Sequence, residues 1–158
     1  MEQRDQLIRF PTVEGSSLSG VHHRLPGTLA HDLNLLLVAF RQWQQKEVDT
    51  WIPVADELAS TVEGFGAYEL PVISRAYKPF SGFIDGGMRS GIPDAGVRDA
   101  TITLYIDRAP FMEALGIRRP DAIAPMLVTP SGAVLWQTRG PASDDAVASL
   151  RAAVAQGA

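Results

Sequence analysis

Six consecutive apolar residues, LLLVAF at positions 35–40, decide the fold class of this 158-residue chain. A run of this kind is typical of a strand buried on both faces, as in a parallel or mixed sheet. In the segment from Gln44 to Val62 that follows, apolar residues recur every three or four positions. That spacing predicts a helix with one buried face, bent where Pro53 removes a backbone donor. A buried strand running into a long helix indicates a layered α/β domain.

Strand and helix signals alternate along the rest of the chain. Pro71 lies inside one strand candidate and favours an edge strand or a strand start, because proline cannot donate to a sheet ladder. The turn sequence TPSG at 129–132 indicates a hairpin, which makes the sheet mixed. The predicted strands are 68–74, 101–106, 126–129 and 133–138, and the further predicted helices are 109–115 and a last one capped by Ser143. We therefore expect one domain over 1–158, with a mixed central sheet and helices on both faces.

Composition excludes several classes of function. The sequence has no cysteine, which rules out disulfides, zinc–thiolate sites, iron–sulfur clusters and thiol nucleophiles. A formal net charge of −4 argues against a nucleic-acid partner. The first twenty residues lack the apolar core of a secretory signal. A membrane span needs ~20 apolar residues, far more than the longest strongly apolar run offers, so we expect a cytoplasmic protein without a membrane span.

Three segments resemble proteins of the thioredoxin-like superfamily. APMLVTPSGAVLW at 124–136, then Gly140 and a terminal helix, resembles the C-terminal half of that family in its order of proline, strand, glycine turn, strand, glycine and helix. Residues 40–59, with Trp43 and Pro53, are similar to its first strand and long, proline-bent helix. Residues 105–117 are similar to the strand and short helix that precede its conserved proline. The resemblance covers a core of about 33–155.

The layout around that core resembles a subgroup of the superfamily. An N-terminal extension and an insertion at about 77–100 are similar to the layout of peroxiredoxin-like relatives. The stretch MRSGIP at 88–93 has a weak resemblance to the mitochondrial ATP synthase assembly-factor family, a thioredoxin-like group without the redox motif.

The Cys-x-x-Cys motif of thioredoxin-like proteins is missing from the start of the long helix. Counting from Trp43 places its two positions at Gln44 and Glu47, whereas counting back from Pro53 places them at Gln45 and Val48. Neither count gives a thiol, and disulfide exchange and peroxide reduction both need a thiolate. The domain is therefore not a disulfide oxidoreductase, a disulfide isomerase or a cysteine peroxiredoxin.

The resemblance also implies a surface for an extended peptide, between the helix N-terminus and the loop before the conserved proline. The proline is Pro125; the resemblance favours a cis bond before it, while the sequence itself leaves the isomer of the Ala124–Pro125 bond open. Trp43 is either an aromatic anchor there or a residue packed against the sheet. The candidate binding residues on this surface are Trp43, Gln44, Gln45, Lys46, Glu47, Ala124 and Pro125.

Three functions follow as hypotheses. The first is a redox-inactive domain that binds a polypeptide or protein partner, in chaperone or assembly work. The second is an enzyme with non-thiol chemistry in the same cleft, with Glu47 as the acid/base group. The third is a structural subunit that forms a homodimer through its aromatic insertion; the oligomeric state itself is open.

No catalytic, cofactor or metal motif accompanies these hypotheses. The chain has no G-x-S-x-G, no dinucleotide fingerprint and no phosphate loop. His22, His23 and His31 are expected to be surface or turn residues, because neighbours on a strand point to opposite faces. We therefore expect no cofactor and no metal.

Overall fold

The centre of the molecule is a seven-stranded mixed sheet, which the computed structural model describes together with its helices over residues 8–157. The strands are β1 (Val13–Ser17), β2 (His22–Leu25), β3 (Leu33–Ala39), β4 (Phe65–Ser74), β5 (Ile102–Ile106), β6 (Ala124–Val128) and β7 (Val134–Gln137). They lie in the order β2-β1-β5-β4-β3-β6-β7. The pairs β3–β4 and β4–β5 are parallel, and the other neighbours are antiparallel.

Helices cover both faces of this sheet, as predicted. They are α1 (Gln45–Thr61), α2 (Ser81–Gly91), α3 (Ala95–Asp99), α4 (Arg108–Ala114) and α5 (Asp144–Gly157), with 3-10 turns at Gln42–Gln44 and Arg75–Phe80. The apolar sides of α1 and α5 pack on one face around the fully buried Trp51. Its indole N–H donates to the carbonyl of Gly140 at 3.0 Å. On the other face, α4 packs with Phe10 of the N-terminal segment.

The strand predicted at 35–40 is β3, and its residues are buried from Leu33 to Val38. It lies between β4 and β6, so both of its edges are paired. The predicted hairpin is formed by β6 and β7. These strands are confirmed to within a few residues at each end.

The prediction that Pro71 marks an edge or a strand start is wrong, because Pro71 lies inside β4, between β3 and β5. The pairing between β4 and β5 is interrupted at Pro71. Glu69 bridges Thr101, and regular pairing resumes at Val72 with Leu104 in the same register. The proline therefore occupies the gap where no backbone donor is used.

The N-terminal extension and the insertion both have regular structure. The extension forms the β1–β2 hairpin, and β1 pairs with β5 through Ser16 and Ser17. The insertion consists of the second 3-10 turn, α2 and α3, none of which buries a residue. The hydroxyl of Tyr105 on β5 donates to Asp85 of α2 at 2.7 Å and so ties the insertion to the sheet.

Two glycines should respond oppositely to alanine. A Cβ on Gly15 would lie 2.5 Å from the carbonyl oxygen of Thr103, whereas one on Gly87 in α2 would meet open space. We expect Gly15→Ala to lower the free energy of unfolding by about 1–3 kcal/mol through overpacking. Gly87→Ala should raise it by about 0.5–1 kcal/mol, since glycine is costly inside a helix. Urea denaturation measures both changes, and a Gly15→Ala protein as stable as the parent would show that β1 does not pack this closely on β5.

Candidate functional site

The candidate site lies where β3 ends and α1 begins, at the carboxyl end of the parallel strands. The loop between α4 and β6 reaches the same place, because β6 is antiparallel to β3 and its first residue, Ala124, pairs with Val38. The site is therefore framed by the α1 N-terminus and by residues 115–123 of that loop.

Gln44 is buried completely at the start of α1 and makes three hydrogen bonds. Its side-chain oxygen accepts from the backbone N–H of Phe40 at 2.8 Å and of Arg41 at 3.2 Å. Its amide nitrogen donates to the carbonyl of Pro120 at 2.7 Å. A buried polar group is stable only when it is satisfied in this way. Gln44 thus ties the end of β3, the start of α1 and the α4–β6 loop together.

Glu47 makes a second tie to the same loop. One of its carboxylate oxygens accepts from the backbone N–H of Ile123 at 3.0 Å. Residues three apart on a helix lie on one side of it, so Gln44 and Glu47 act together on the loop. The alternative pair suggested by the sequence, Gln45 and Val48, does not hold the loop. Gln45 is exposed, and Val48 belongs to the core.

Ala124 and Pro125 are both buried inside β6, where they pair with Val38 and Leu37 of β3. The cis bond that the resemblance favoured before Pro125 is not found there: within residues 8–157 the cis bond is Leu25–Pro26. Ala124 and Pro125 follow one another in regular register with Val38 and Leu37, and trans is the ordinary isomer of a bond before proline.

The backbone before this proline also has partners, since the carbonyl of Ile123 accepts from Gly140 at 2.9 Å and from Arg139 at 3.2 Å. The candidate residues therefore divide into two groups. Trp43, Gln45 and Lys46 are exposed, whereas Gln44, Ala124 and Pro125 are buried and Glu47 is partly buried.

Trp43 projects from this framework with 54% of its surface exposed, so it is not packed against the sheet. Three further exposed aromatic residues, Tyr77, Phe80 and Phe83, which are 55%, 62% and 87% exposed, lie at the start of the insertion that the sequence already marks as aromatic. Tyr77 and Phe80 lie on the 3-10 turn that follows β4. β3 and β4 are parallel neighbours, so this turn and the Trp43 segment both follow the carboxyl end of the sheet, with β4 running to Ser74, three residues past the Pro71 that pairs with Ala39 at the end of β3. The sequence signal was three aromatics within seven residues, YKPFSGF.

Ionisable groups near the site are perturbed by burial. Burial raises the pKa of Glu69, although a hydrogen bond donated by Gln45 at 3.3 Å opposes the shift, and Asp49 raises it further. Burial also raises the pKa of Tyr105, as does its hydrogen bond to Asp85. Tyr105 therefore remains a protonated donor that holds the insertion.

His22 and His23 each contact a local partner, and among the residues described neither is part of a metal site. His22 lies 2.9 Å from the carboxylate of Glu14, and His23 lies 2.9 Å from the hydroxyl of Thr28. Burial, with a contribution from His22, lowers the pKa of His23. Over residues 8–157, no group of three histidine, aspartate, glutamate or cysteine residues is arranged to hold a metal ion. None of the helices described is both long and apolar enough to cross a membrane.

Solved structures with this arrangement of strands and helices are thioredoxin-like. The chain is similar to an Aquifex aeolicus protein described as a putative electron transfer protein (11% identity, TM-score 0.65, covering 96% of this chain and 97% of that one). It is similar to the exposed lipoprotein thioredoxin Etrx1 of Streptococcus pneumoniae (18%, 0.56, 90% and 98%). It is also similar to BsSco, a member of the Sco family of cytochrome c oxidase assembly proteins (14%, 0.60, 94% and 95%).

Identities this low establish the fold alone. No protein-family model matches the sequence, and no curated protein matches it. The predicted thioredoxin-like fold is confirmed, and with no cysteine in the chain it has no thiol chemistry. The finer resemblances, to peroxiredoxin-like relatives and to ATP synthase assembly factors, stay predictions.

The role of Gln44 can be tested against its neighbour. Gln44→Ala removes the partners of two backbone donors and one carbonyl, and we expect it to lower the free energy of unfolding by about 2–4 kcal/mol. Gln45→Ala changes an exposed residue and should alter it by less than about 0.5 kcal/mol. Thermal denaturation of both variants measures the difference. Equal, small effects would contradict the role that we assign to Gln44, which is to clamp the end of β3, the start of α1 and the α4–β6 loop together through its three hydrogen bonds.

Proposed function

We propose that this cysteine-free domain with a thioredoxin-like fold acts by binding a protein partner. The proposal rests on one observation: Trp43 is half exposed on a segment whose backbone is held by buried hydrogen bonds. A large aromatic side chain presented from a rigid backbone loses little conformational entropy on binding. Tryptophan and tyrosine are also the residues that most often dominate binding energy at protein interfaces.

The neighbouring aromatics enlarge the proposed binding surface. Trp43, Tyr77 and Phe80, which we call the aromatic rim, all follow the carboxyl ends of adjacent parallel strands. Exposed apolar side chains that occur together mark interaction sites more often than single ones do. An extended polypeptide crossing this end of the sheet would contact Trp43 and Phe80 in turn.

The earlier hypotheses fit this surface unequally. The buried Ala124 and Pro125 lie beneath the surface, so the proposed contact uses Trp43, Gln45 and Lys46 of the original candidates. One carboxylate oxygen of Glu47 accepts a hydrogen bond from the backbone N–H of Ile123. The acid/base role of Glu47 stays a prediction. A homodimer through the insertion, a cytoplasmic location and a chaperone or assembly role also stay predictions. The last of these is in keeping with the assembly function named for the Sco family.

Capture from host lysate tests the proposal with a matched control. Immobilised parent protein should retain a partner that mass spectrometry identifies, and a Trp43→Ala, Phe80→Ala variant should lose it. The control variant, Val21→Ala with Leu135→Ala, removes two other exposed apolar residues, 54% and 42% exposed, away from the rim. It should retain the partner.

Loss of at least about tenfold in affinity is expected for the purified partner, since two truncated interface aromatics commonly cost more than 1 kcal/mol together. The proposal is wrong if the rim variant and the control variant bind the partner equally. It is also wrong if the parent protein retains nothing that the rim variant loses.

A further inference from the structure

The face of the sheet that α1 and α5 cover is apolar over only part of its width. Among the residues described, the core on that face contains members of β3, β4, β6 and β7 and none of β1, β2 or β5. On β5, Ile102 and Leu104 belong to the opposite core, so the residues that alternate with them point to this face. Because paired residues share a face, the outer three strands present polar side chains here: Glu14, Ser16, His22, Thr103 and Tyr105.

A groove of about 600 Å³ lies between these polar side chains and the insertion. It opens where the ladder between β1 and β5 stops, since these strands pair only at Ser16–Thr103 and Ser17–Ile102. The insertion contributes four lining residues, Arg75, Lys78, Ser81 and Asp85. Sites for small molecules commonly have volumes of about 300–1,000 Å³, so the groove has the size of such a site.

Thr103 supplies an unsatisfied hydroxyl to the lining of this groove. Its residue is 1% exposed, and within residues 8–157 its side-chain oxygen is the buried side-chain polar atom that has no hydrogen-bond partner. The hydroxyl of Thr101 differs, because it donates to the carbonyl of Val97 at 2.7 Å. Burying a hydroxyl without a partner costs free energy. A ligand hydroxyl in the groove would supply the missing partner.

Charged side chains of both signs line the groove, and several of them already compensate one another. The acids are Glu14, Asp85 and Asp107, and the bases are Arg75, Lys78 and, when protonated, His22. His22 lies 2.9 Å from Glu14, and Arg75 lies 3.9 Å from Asp107. Each carboxylate keeps free acceptor positions, since its two oxygens carry about four lone pairs. The groove therefore offers many hydrogen bonds but no dominant charge that would select an ion.

The cover over this groove is a weakly held helix. Asp85 of α2 accepts from Tyr105, two residues from Thr103, so α2 lies over this part of β5. Four of the eleven residues of α2 are glycine, and none of its residues is buried. Glycine destabilises the interior of a helix, and segments with few buried contacts open most readily. A shift of α2 would admit a ligand to Thr103.

We infer that this groove binds a small, uncharged, polyhydroxylated molecule of the monosaccharide type, with one ligand hydroxyl bonded to Thr103. A hydroxyl both donates and accepts, so such a ligand can pair with the carboxylates, cations and hydroxyls of the lining at once. Val13 and Pro110, which also line the groove, would contact its C–H groups. The inference goes beyond the proposed function and does not depend on it.

Titration of ¹⁵N-labelled protein with D-glucose and with myo-inositol tests the class of ligand. The backbone amide signals of Thr103, Tyr105 and Asp85 should shift at millimolar concentrations of at least one of these polyols. Glycine betaine, a zwitterion, and inorganic phosphate should leave the same signals in place. The absence of a shift with both polyols, or a larger shift with either charged probe, would overturn the inference.

Two threonine variants separate a ligand contact from a structural role. Thr103→Val removes a hydroxyl without a partner in the fold, so the thermal midpoint of the ligand-free protein should stay the same or rise. Binding of the polyol should weaken at least about tenfold, because a buried ligand hydroxyl loses its partner. The matched control, Thr101→Val, loses the hydrogen bond to Val97, so it should have a lower midpoint and unchanged polyol binding. Polyol binding that survives Thr103→Val, or a lower midpoint in that variant, would contradict the role assigned to Thr103.

Discussion

Burial of β3 on both faces is the constraint on which the rest of the structure depends. Every backbone N–H and C=O of a buried strand needs a partner inside the protein, and β3 finds them in β4 on one edge and β6 on the other. The strand delivers the chain to the carboxyl end of the sheet, where α1 must begin at once in order to cover one face. The start of α1 and the loop entering β6 are consequently forced together.

The interactions that fill this junction decide what the domain can do. Two polar side chains, Gln44 and Glu47, are hydrogen-bonded to the loop before β6. A thiol pair would leave a reactive group at the junction, whereas an amide and a carboxylate with internal partners make a clamp. The clamp fixes the segment that carries Trp43 and leaves its ring in solvent. The same two side chains thus leave the junction without a reactive group and hold the segment that presents Trp43.

The local parts of the fold could be predicted from sequence, and the parts set by distant contacts could not. The apolar run of β3 and the three-to-four spacing of α1 are local signals. In contrast, β1 and β2 read VEGSS and HHRL, short polar sequences that become strands only because β5 offers an edge. Pro71 can lie in a central strand because the pairing between β4 and β5 is interrupted at that residue.

The site shows the same division between local and distant information. Its position followed from the resemblance, and Trp43 was identified with it. Gln44 could not be recognised as the buried member of QWQQKE, because the carbonyl it needs belongs to Pro120, far along the chain.

The indole N–H resonances of the three tryptophans give the most direct test of the account. Trp51 and Trp136 donate to Gly140 and Ser149 within the fold, at 3.0 Å and 2.8 Å, whereas Trp43 is exposed at the proposed contact. On titration of ¹⁵N-labelled protein with its captured partner, the account predicts that the Trp43 indole signal shifts or broadens while the other two stay in place. A partner that binds and leaves the Trp43 signal unchanged would contradict it.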